Sequence, residues 1–390
     1  GFFEALGFKY FGPIDGHDIE LMERTMTLAK EVDGPTVVHI LTKKGLGYGK
    51  AEERPETFHG LPPQSNDEDS QQQFSSAVSF GKAAVEELIR LAETDNRIVG
   101  ITAAMPTGTG LQAFQKRFPS RMLDVGIAEE HAVTMAAGLA VGGMKPYFMV
   151  YATFFQRAYD QLIHDVSMQH LPVTFLIDRA GLVGEDGSTH HGIFDLASTL
   201  PIPGLVVLAP RDLQELRAIV QWSAAYDAPC AVRYGRQSVD LSDKYPYKEF
   251  RLGHWEMLED GRHGSILAVG SMVEHAVAVQ HLLKKQGVFL KVINCSTIKP
   301  LDEDMLRTLS DLPMITMEEH LLAGGFGAFV ASFCIEEELP VPVLSIGIPD
   351  MYVQHGRRDQ LLKYLGLQPK ELTGRILAAL RPERENHREG

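Results

Sequence analysis

Asp124-Val-Gly-Ile-Ala-Glu-Glu-His131 is the stretch that decides how this chain is read. It places a carboxylate at a strand-to-helix corner, just ahead of a helix made almost wholly of small and apolar residues, Ala132 to Gly143. Acids in a first helical turn suit the positive end of the helix dipole, which is one reading of Glu129 and Glu130. Ala132, Val133, Met135, Ala136, Ala137, Leu139 and Ala140 cover most of the helix circumference, so the helix is expected in a core or a subunit interface. A carboxylate at the mouth of such a helix must be paired or do chemistry, because burying it unpaired is costly.

Composition bounds the rest. At 390 residues the chain is too long for one ordinary core, and two or three domains are expected. Apolar residues make up 44% and charged residues 23%, the balance of a soluble globular protein. A net charge of −14, from 37 basic and 51 acidic residues, argues against a nucleic-acid partner or an anionic membrane surface. Local basic pockets for a phosphate stay open. Cys230, Cys295 and Cys334 are scattered through apolar contexts, which fits buried thiols in a reducing compartment and neither disulfides nor a metal site. No apolar run approaches a membrane span.

Along the chain, residues 1–61 read as strand, helix, strand and loop, with a helix at Ile19–Lys30 and a buried strand at Thr36–Leu41. That is too little for a domain, and a remnant of a preceding α/β domain is expected. The chain starts on Gly1 inside what reads as the late part of a domain, so a longer polypeptide is expected too. Residues 62–73 are polar and read as a linker. From 74 to 240, apolar strands at Ile98–Thr102, Tyr147–Tyr151, Val173–Ile177, Val206–Ala209 and Ala231–Tyr234 alternate with helical stretches. A second such unit over 251–390 has strands at Ile266–Val269, Lys291–Asn294, Ile315–Met317 and Val343–Ile346. Alternation of this kind gives right-handed crossovers and parallel sheets covered on both faces, an α/β fold class.

Three further segments carry chemistry-bearing side chains: Tyr151-Ala-Thr-Phe-Phe-Gln-Arg-Ala-Tyr-Asp160, Asp178-Arg-Ala-Gly-Leu-Val-Gly-Glu-Asp-Gly-Ser-Thr-His-His-Gly192 and Ala231-Val-Arg-Tyr-Gly-Arg236. With Asp124–His131, their order and spacing closely resemble the pyrimidine-binding domain of the transketolase-like thiamine diphosphate enzymes. Gly12-Pro-Ile-Asp-Gly-His-Asp18, Thr42-Lys-Lys-Gly-Leu-Gly-Tyr48 and Phe58-His59 narrow the resemblance to the branch that joins pyruvate to D-glyceraldehyde 3-phosphate with loss of CO₂, giving 1-deoxy-D-xylulose 5-phosphate. The resemblance implies a transketolase-like pair of α/β domains, thiamine diphosphate as cofactor, a homodimer, and a bacterial cytoplasm or a plastid stroma.

It also implies roles. The cofactor carries the carbanion chemistry, and the protein must present a carboxylic acid to its pyrimidine ring. The family's acid corresponds to Glu129, with Glu130 left to the helix terminus. Tyr151, Phe154 and Phe155 read equally well as core residues; by resemblance Phe154 stacks on the pyrimidine, and Tyr151 faces the substrate. The loop from Arg179 to His191 follows an apolar strand, where ligand sites of α/β proteins cluster. There the resemblance gives Asp186 to an acceptor-substrate hydroxyl and His190 to proton transfer, leaving His191 unassigned. Arg179 and Arg233 at strand ends could form a bidentate phosphate clamp, and the resemblance gives both to the phosphate of glyceraldehyde 3-phosphate. Gly235 departs from the family's proline and leaves Arg236 without a role. His59 resembles the histidine that reaches the cofactor's reactive face. Glu318 to Gly327 resembles a glycine-rich phosphate loop opening a helix.

The diphosphate calls for Mg²⁺, which takes oxygen ligands. In this superfamily they come from a Gly-Asp-Gly motif and a later Asn, a pattern these 390 residues do not contain. The metal ligands are therefore expected in an amino-terminal region outside this sequence, and the chain alone is expected to be inactive. Two other readings stand beside this one. Another transketolase-like enzyme, a transketolase or a 2-oxoacid dehydrogenase β-type subunit, is disfavoured by the Asp-Gly-His-Asp and Gly-Glu-Asp-Gly-Ser-Thr-His segments. A non-catalytic assembly module is disfavoured by the full set of Glu129, Asp186, His190 and Arg233.

Overall fold

Apolar runs that alternate with helices can bury both of their faces only as inner strands of a covered parallel sheet. A computed structural model of the protein shows this arrangement and describes residues 1–55, 58, 79–236, 241, 243–247 and 249–380. His59 and the linker over 62–73 lie outside the described residues. The chain divides into two compact units, Gly1–Ser76 and Ala77–Gly390.

In the first unit β1 (Lys9–Asp15) and β2 (Thr36–Leu41) pair in parallel, connected through the helix Ile19–Lys30. Asp18 caps that helix by accepting from the Leu21 amide. Among its described residues only Thr25 and Ala51 are buried, while Phe2, Ile19, Leu28 and Leu41 are more than half exposed. A strand–helix–strand piece of this size has no core of its own.

The second unit holds two sheets. The first uses β3 (Ile98–Thr102), β4 (Met122–Asp124), β5 (Lys145–Tyr151), β6 (Thr174–Asp178), β7 (Val206–Leu208) and β8 (Cys230–Arg233). Beyond them come β9 (Glu256–Glu259), β10 (Ser265–Ala268), β11 (Lys291–Asn294), β12 (Thr297–Lys299), β13 (Met314–Leu321) and β14 (Val343–Ile348). Strand order is β12-β7-β8-β6-β5-β3-β4 in one sheet and β14-β13-β10-β11-β9 in the other. All pairings are parallel except β12 on β7 and β9 on β11. β4, β9 and β12, which the sequence reading did not mark, span only three or four residues, too short to show a period.

Two features of this frame place the site. In the ladder of β5, β6 and β8, Tyr151 lies level with Asp178 and Ile177 with Arg233, so these strands end along one edge. The helix Glu129–Val141 starts just past β4 and buries Glu129, Ala132, Val133, Ala136, Ala137 and Ala140. Its other side is open, with Val141 at 70% and the preceding Ile127 at 79% exposure, so within one chain the helix is buried on one face and not all round.

The two sheets share a core. Val150, Phe175 and Ile177 of the first sheet belong to the same apolar cluster as Leu267, Ile293 and Met314 of the second, together with Trp255 and Phe326. Trp255 meets Phe326 edge to face at 5.9 Å and donates its indole N–H to Thr297 O in β12, the strand of the later segment that joins the earlier sheet. A core shared in this way predicts coupled unfolding. Phe326→Ala, which empties a fully buried ring position, should cost about 3–5 kcal/mol and lower one common thermal transition for residues 79–380. Calorimetry resolving two transitions, only one of them shifted, would contradict this.

Candidate active site

The carboxyl edge of β5 and β6 gathers a continuous run of rings and charges. Tyr151, the last residue of β5, lies nearly parallel to Phe154 on the next helical turn, with centroids 5.8 Å apart and planes 11° apart. Phe154 meets His190 edge to face at 5.6 Å. Arg179 covers the Tyr151 ring at 4.3 Å, and Arg157 covers Phe154 at 4.9 Å. Arg157 also donates to Glu129 Oε1 at 2.5 Å. Glu129, Arg157, Phe154, Tyr151, Arg179 and His190 are therefore linked contact by contact, although they come from three chain segments. Gly108 makes room for the series, because a Cβ there would stand 2.4 Å from the Tyr151 hydroxyl. Burial pushes the Tyr151 phenol up, with Arg179, Asp178, Asp186 and Arg236 the charged groups around it.

Glu129 is 2% exposed, and its second oxygen, Oε2, is buried without a hydrogen-bond partner among the described residues. A carboxylate oxygen left in this state inside a protein calls for a donor from elsewhere. The half-buried Phe154 ring, joined to Glu129 through Arg157, offers a flat apolar wall. These two residues fit an amino-substituted aromatic ring that carries a nitrogen, such as the pyrimidine of thiamine diphosphate.

The loop after β6 closes on itself where Gly181 and Gly192 exchange N–H···O bonds of 2.7 and 2.8 Å. Between them, the Thr189 hydroxyl lies 2.9 Å from His190 Nδ1, and Thr153 donates to Thr189 O at 2.7 Å, tying the loop to the turn that carries Phe154. Asp186 is exposed, with Arg236 at 3.7 Å. His191, given no role from sequence, is buried. Its Nδ1 accepts from the Val183 amide at 3.1 Å, and its Nε2 donates to Gln354 O at 3.1 Å.

Arg179 and Arg233, expected to clamp a phosphate, are each paired with a buried carboxylate of the chain itself. Arg233 is 6% exposed, and one edge of its guanidinium is taken by the buried Asp195, Nε to Oδ2 at 2.6 Å and Nη2 to Oδ1 at 3.2 Å. An arginine inside a strand spends its charge on internal packing. Arg236, three residues past Arg233 and beyond the end of β8, is exposed and stands by Asp186. The structure thus brings Arg236, not Arg233, to the group holding Arg179 and Asp186. The signal available in the sequence was position relative to the strand end. Arg179 is half-turned into the protein by its own neighbour, since Asp178 Oδ2 accepts from Nη1 at 2.6 Å while Nε stays buried and unpartnered. Burial pushes the Asp178 carboxyl up, against the pull of Arg179. Arg179 itself has a left-handed φ of +61°, a strained setting for a side chain with a β-carbon.

The glycine-rich stretch Glu318–Gly327 is not a phosphate loop. The Glu318 carboxylate fills the start of the following helix, accepting from the Phe326 amide at 2.7 Å and the Gly327 amide at 2.8 Å. A Cβ on Gly325 would meet Glu318 Oε2 at 2.3 Å, so the glycine admits the chain's own anion and no other. Among the described residues no group of three or more His, Cys, Asp or Glu is placed to hold a metal ion. No described helix is long and apolar enough to cross a membrane.

Residues 76–241 match the family described as "Transketolase, pyrimidine binding domain", residues 253–372 "Transketolase, C-terminal domain", and residues 1–42 "1-deoxy-D-xylulose-5-phosphate synthase". The chain is 42% identical over 383 residues to a 1-deoxy-D-xylulose-5-phosphate synthase of Clostridium perfringens, covering 97% of this chain and 62% of that protein. It is 44% identical over 380 residues to the protein of the same name from Clostridium acetobutylicum, covering 97% and 61%. The chain therefore spans about three-fifths of the length of these relatives. A solved structure titled "Split gene transketolase, inactive beta4 tetramer" aligns with a TM-score of 0.70 at 29% identity, over 78% of this chain and 99% of that one.

The bond pattern of His191 generates a pH prediction. Burial pushes its imidazole below the ordinary value of 6.5, with Glu319, Asp186 and His190 the charged or titratable groups facing it. A base held neutral by folding favours the native state above its unfolded value, and that contribution is lost as pH falls through the folded value. The stability difference between wild type and His191→Asn should therefore be largest above pH 6.5 and shrink on acidification. Glu215 and Glu318, pushed up by burial to about 7, work in the opposite sense but cancel in this difference. Urea unfolding of both proteins at several pH values checks it, and a difference that grows towards low pH would refute it.

Proposed function

Because the chain belongs to the 1-deoxy-D-xylulose-5-phosphate synthase family of transketolase-like transferases, we propose that it supplies the pyrimidine side and the acceptor end of a site condensing pyruvate with D-glyceraldehyde 3-phosphate to 1-deoxy-D-xylulose 5-phosphate and CO₂. The observation that carries this reading is the buried Glu129, unpartnered at one oxygen and gripped at the other by Arg157, which also covers the Phe154 ring.

Thiamine diphosphate, when bound, would supply a nucleophilic carbon and a sink for the electron pair left behind when CO₂ departs. The chain's residues do the positioning. Arg157 fixes Glu129 Oε1, so that Oε2 is the atom free to share a proton with the pyrimidine ring. Phe154 packs one side of that ring, and Tyr151 extends the wall towards the substrate. Thr189 occupies His190 Nδ1, leaving Nε2 to hold or pass a proton near the reacting carbons. Asp186 takes an acceptor hydroxyl, while Arg179 and Arg236 offer planar donors to the acceptor's phosphate. The diphosphate and its Mg²⁺ need oxygen ligands of a kind this sequence does not present as Gly-Asp-Gly. We assign them to a complementary amino-terminal segment. The exposed face of the helix Glu129–Val141 supports pairing with a second copy, and a bacterial cytoplasm suits the three buried free thiols.

A second reading concerns the chain by itself. The split-gene neighbour is titled an inactive tetramer, which favours 390 residues that assemble without turnover until the complementary segment joins. The chain alone should bind thiamine diphosphate and Mg²⁺ weakly by calorimetry and give no product from pyruvate and glyceraldehyde 3-phosphate. Adding a segment that carries Gly-Asp-Gly should restore both. Micromolar cofactor binding by the chain alone would end this reading. In the assembled enzyme, Glu129→Gln should lower kcat by about 10²–10⁴-fold with the fold intact, the usual worth of a positioned proton donor. Near-normal consumption of pyruvate by that variant would remove Glu129 from the role.

The two arginines can be told apart. Arg236→Ala should raise KM for glyceraldehyde 3-phosphate by about tenfold to a hundredfold relative to unphosphorylated glyceraldehyde, the loss of one charged hydrogen bond. Arg233→Ala leaves Asp195 buried and unpaired, and should cost about 3–5 kcal/mol of stability. A phosphate-specific KM effect at Arg233 and none at Arg236 would reverse the assignment.

A further inference from the structure

The loop between Gly181 and Gly192 carries Asp186 and His190, yet much of what holds it comes from the second sheet and not from the sheet it leaves. Glu319 in β13 is 3% exposed, and its Oε1 accepts from the Leu182 amide at 2.8 Å. Its Oε2 accepts from Ser271 Oγ at 2.7 Å. Arg358, at the start of the helix Arg358–Tyr364, spans both oxygens, with Nε 3.1 Å from Oε1 and Nη2 on Oε2. A Cβ on Gly181 would stand 2.9 Å from the Glu319 carboxyl carbon, so the loop can lie this close only through a glycine. Leu182 and Ile193 are buried in the core formed by Ile266, Met317 and Ile346. Leu321 N donates to Ile193 O at 3.2 Å, and Gly356 N to Gly184 O at 3.4 Å. His191 bridges the Val183 amide to Gln354 O, and Gly187 lies against His355.

We infer that Glu319 and Arg358 are positioning residues, a clamp by which the later sheet fixes the direction of the loop that presents Asp186 and His190. The inference rests on the function proposed above for what those two side chains do, but not for the clamp itself. Apolar contacts at Leu182 and Ile193 hold the loop's ends down without fixing its orientation, since such contacts are non-directional. A carboxylate whose two oxygens are filled by four donors from three segments does fix it. Burial acts to raise the Glu319 carboxyl, but Arg358, Ser271 and the Leu182 amide together hold it below the ordinary value. It therefore stays an anion, able to accept from all of them. Asp186 and His190 make no contact with Glu319 or Arg358 in the bonds described, so the clamp acts on them only through the loop's backbone.

Hydrogen–deuterium exchange on the chain, with kinetics on the enzyme assembled with its amino-terminal segment, tests this. In Arg358→Ala, exchange across 182–191 should quicken about tenfold while the helix Glu129–Val141 is unchanged. KM for glyceraldehyde 3-phosphate should rise about tenfold with the pyruvate KM within about twofold. Arg358→Lys, which keeps one charge and loses the fork, should recover part of both effects. Should Arg358→Ala fail to fold, Arg358→Lys and Glu319→Gln decide instead, each expected to loosen 182–191 selectively. Exchange there within about twofold of wild type in a folded variant would overturn the clamp, as would equal loosening of the whole second unit. If wild-type assembled enzyme does not use the two substrates, the functional reading fails, while the exchange measurement still decides the clamp.

Discussion

Everything in the candidate site depends on the register of β5 against β6. With Tyr151 opposite Asp178, the two strands end level, and the residues just past their ends emerge side by side. A slip of one residue would send Tyr151 to the other face of the sheet, because side chains alternate with a period of two. The stack Arg179–Tyr151–Phe154 would then have no middle member. The register is held from both faces: β5 is buried along its whole length, and so is β6. The same apolar pattern that drives the fold therefore sets the geometry of the charged groups at its edge.

Charge inside this molecule is spent mostly on orientation. Arg233 with Asp195, Arg358 with Glu319, and Arg211 with Asp212 and Glu256 are buried or nearly buried ion pairs. Pairs of this kind add little net stability, since desolvation offsets most of the attraction. What they do is hold chain segments in one direction where apolar contacts would allow several. Arg211, fully buried, joins Asp212 at a helix start to Glu256 in β9 and to Tyr245 O in the connection between the two sheets. The pair Glu129–Arg157 differs, for the carboxylate keeps one oxygen unfilled.

Much of the fold was legible in the sequence, because long buried strands and the helices between them have strong periods. The strands at Ile98–Thr102 and Lys291–Asn294, and the helix at Ile19–Lys30, fall where the pattern put them. β4, β9 and β12 were not legible: each is short, and β12 pairs across from a later segment to an earlier sheet, which no local pattern records. Of the candidate site, Glu129 and the loop after β6 stood out because polar residues interrupt apolar runs there, whereas the aromatic turn read equally well as core and was singled out only by family resemblance. The pairing of Arg233 was hidden for a physical reason. A sequence shows that an arginine stands near a strand end, but not whether Asp195, 38 residues away, is waiting inside. Glu319 and Arg358 were out of reach for the same reason, since their importance lies in a pairing 39 residues apart and in a loop 137 residues away.

The shared core of the two sheets bears on how such a site can be divided between polypeptides. Glu129, Phe154, Tyr151, Arg179, Arg236 and the loop with Asp186 and His190 all belong to Ala77–Gly390, as do the pairs that orient them. The described bonds that order them also lie within Ala77–Gly390. A cut in the chain ahead of the first sheet therefore leaves this half of the site organised, whereas a cut between the sheets would open the core around Trp255 and Phe326 and release the loop from Glu319. A division of the family's site into separate pieces is physically permitted at the first place and forbidden at the second.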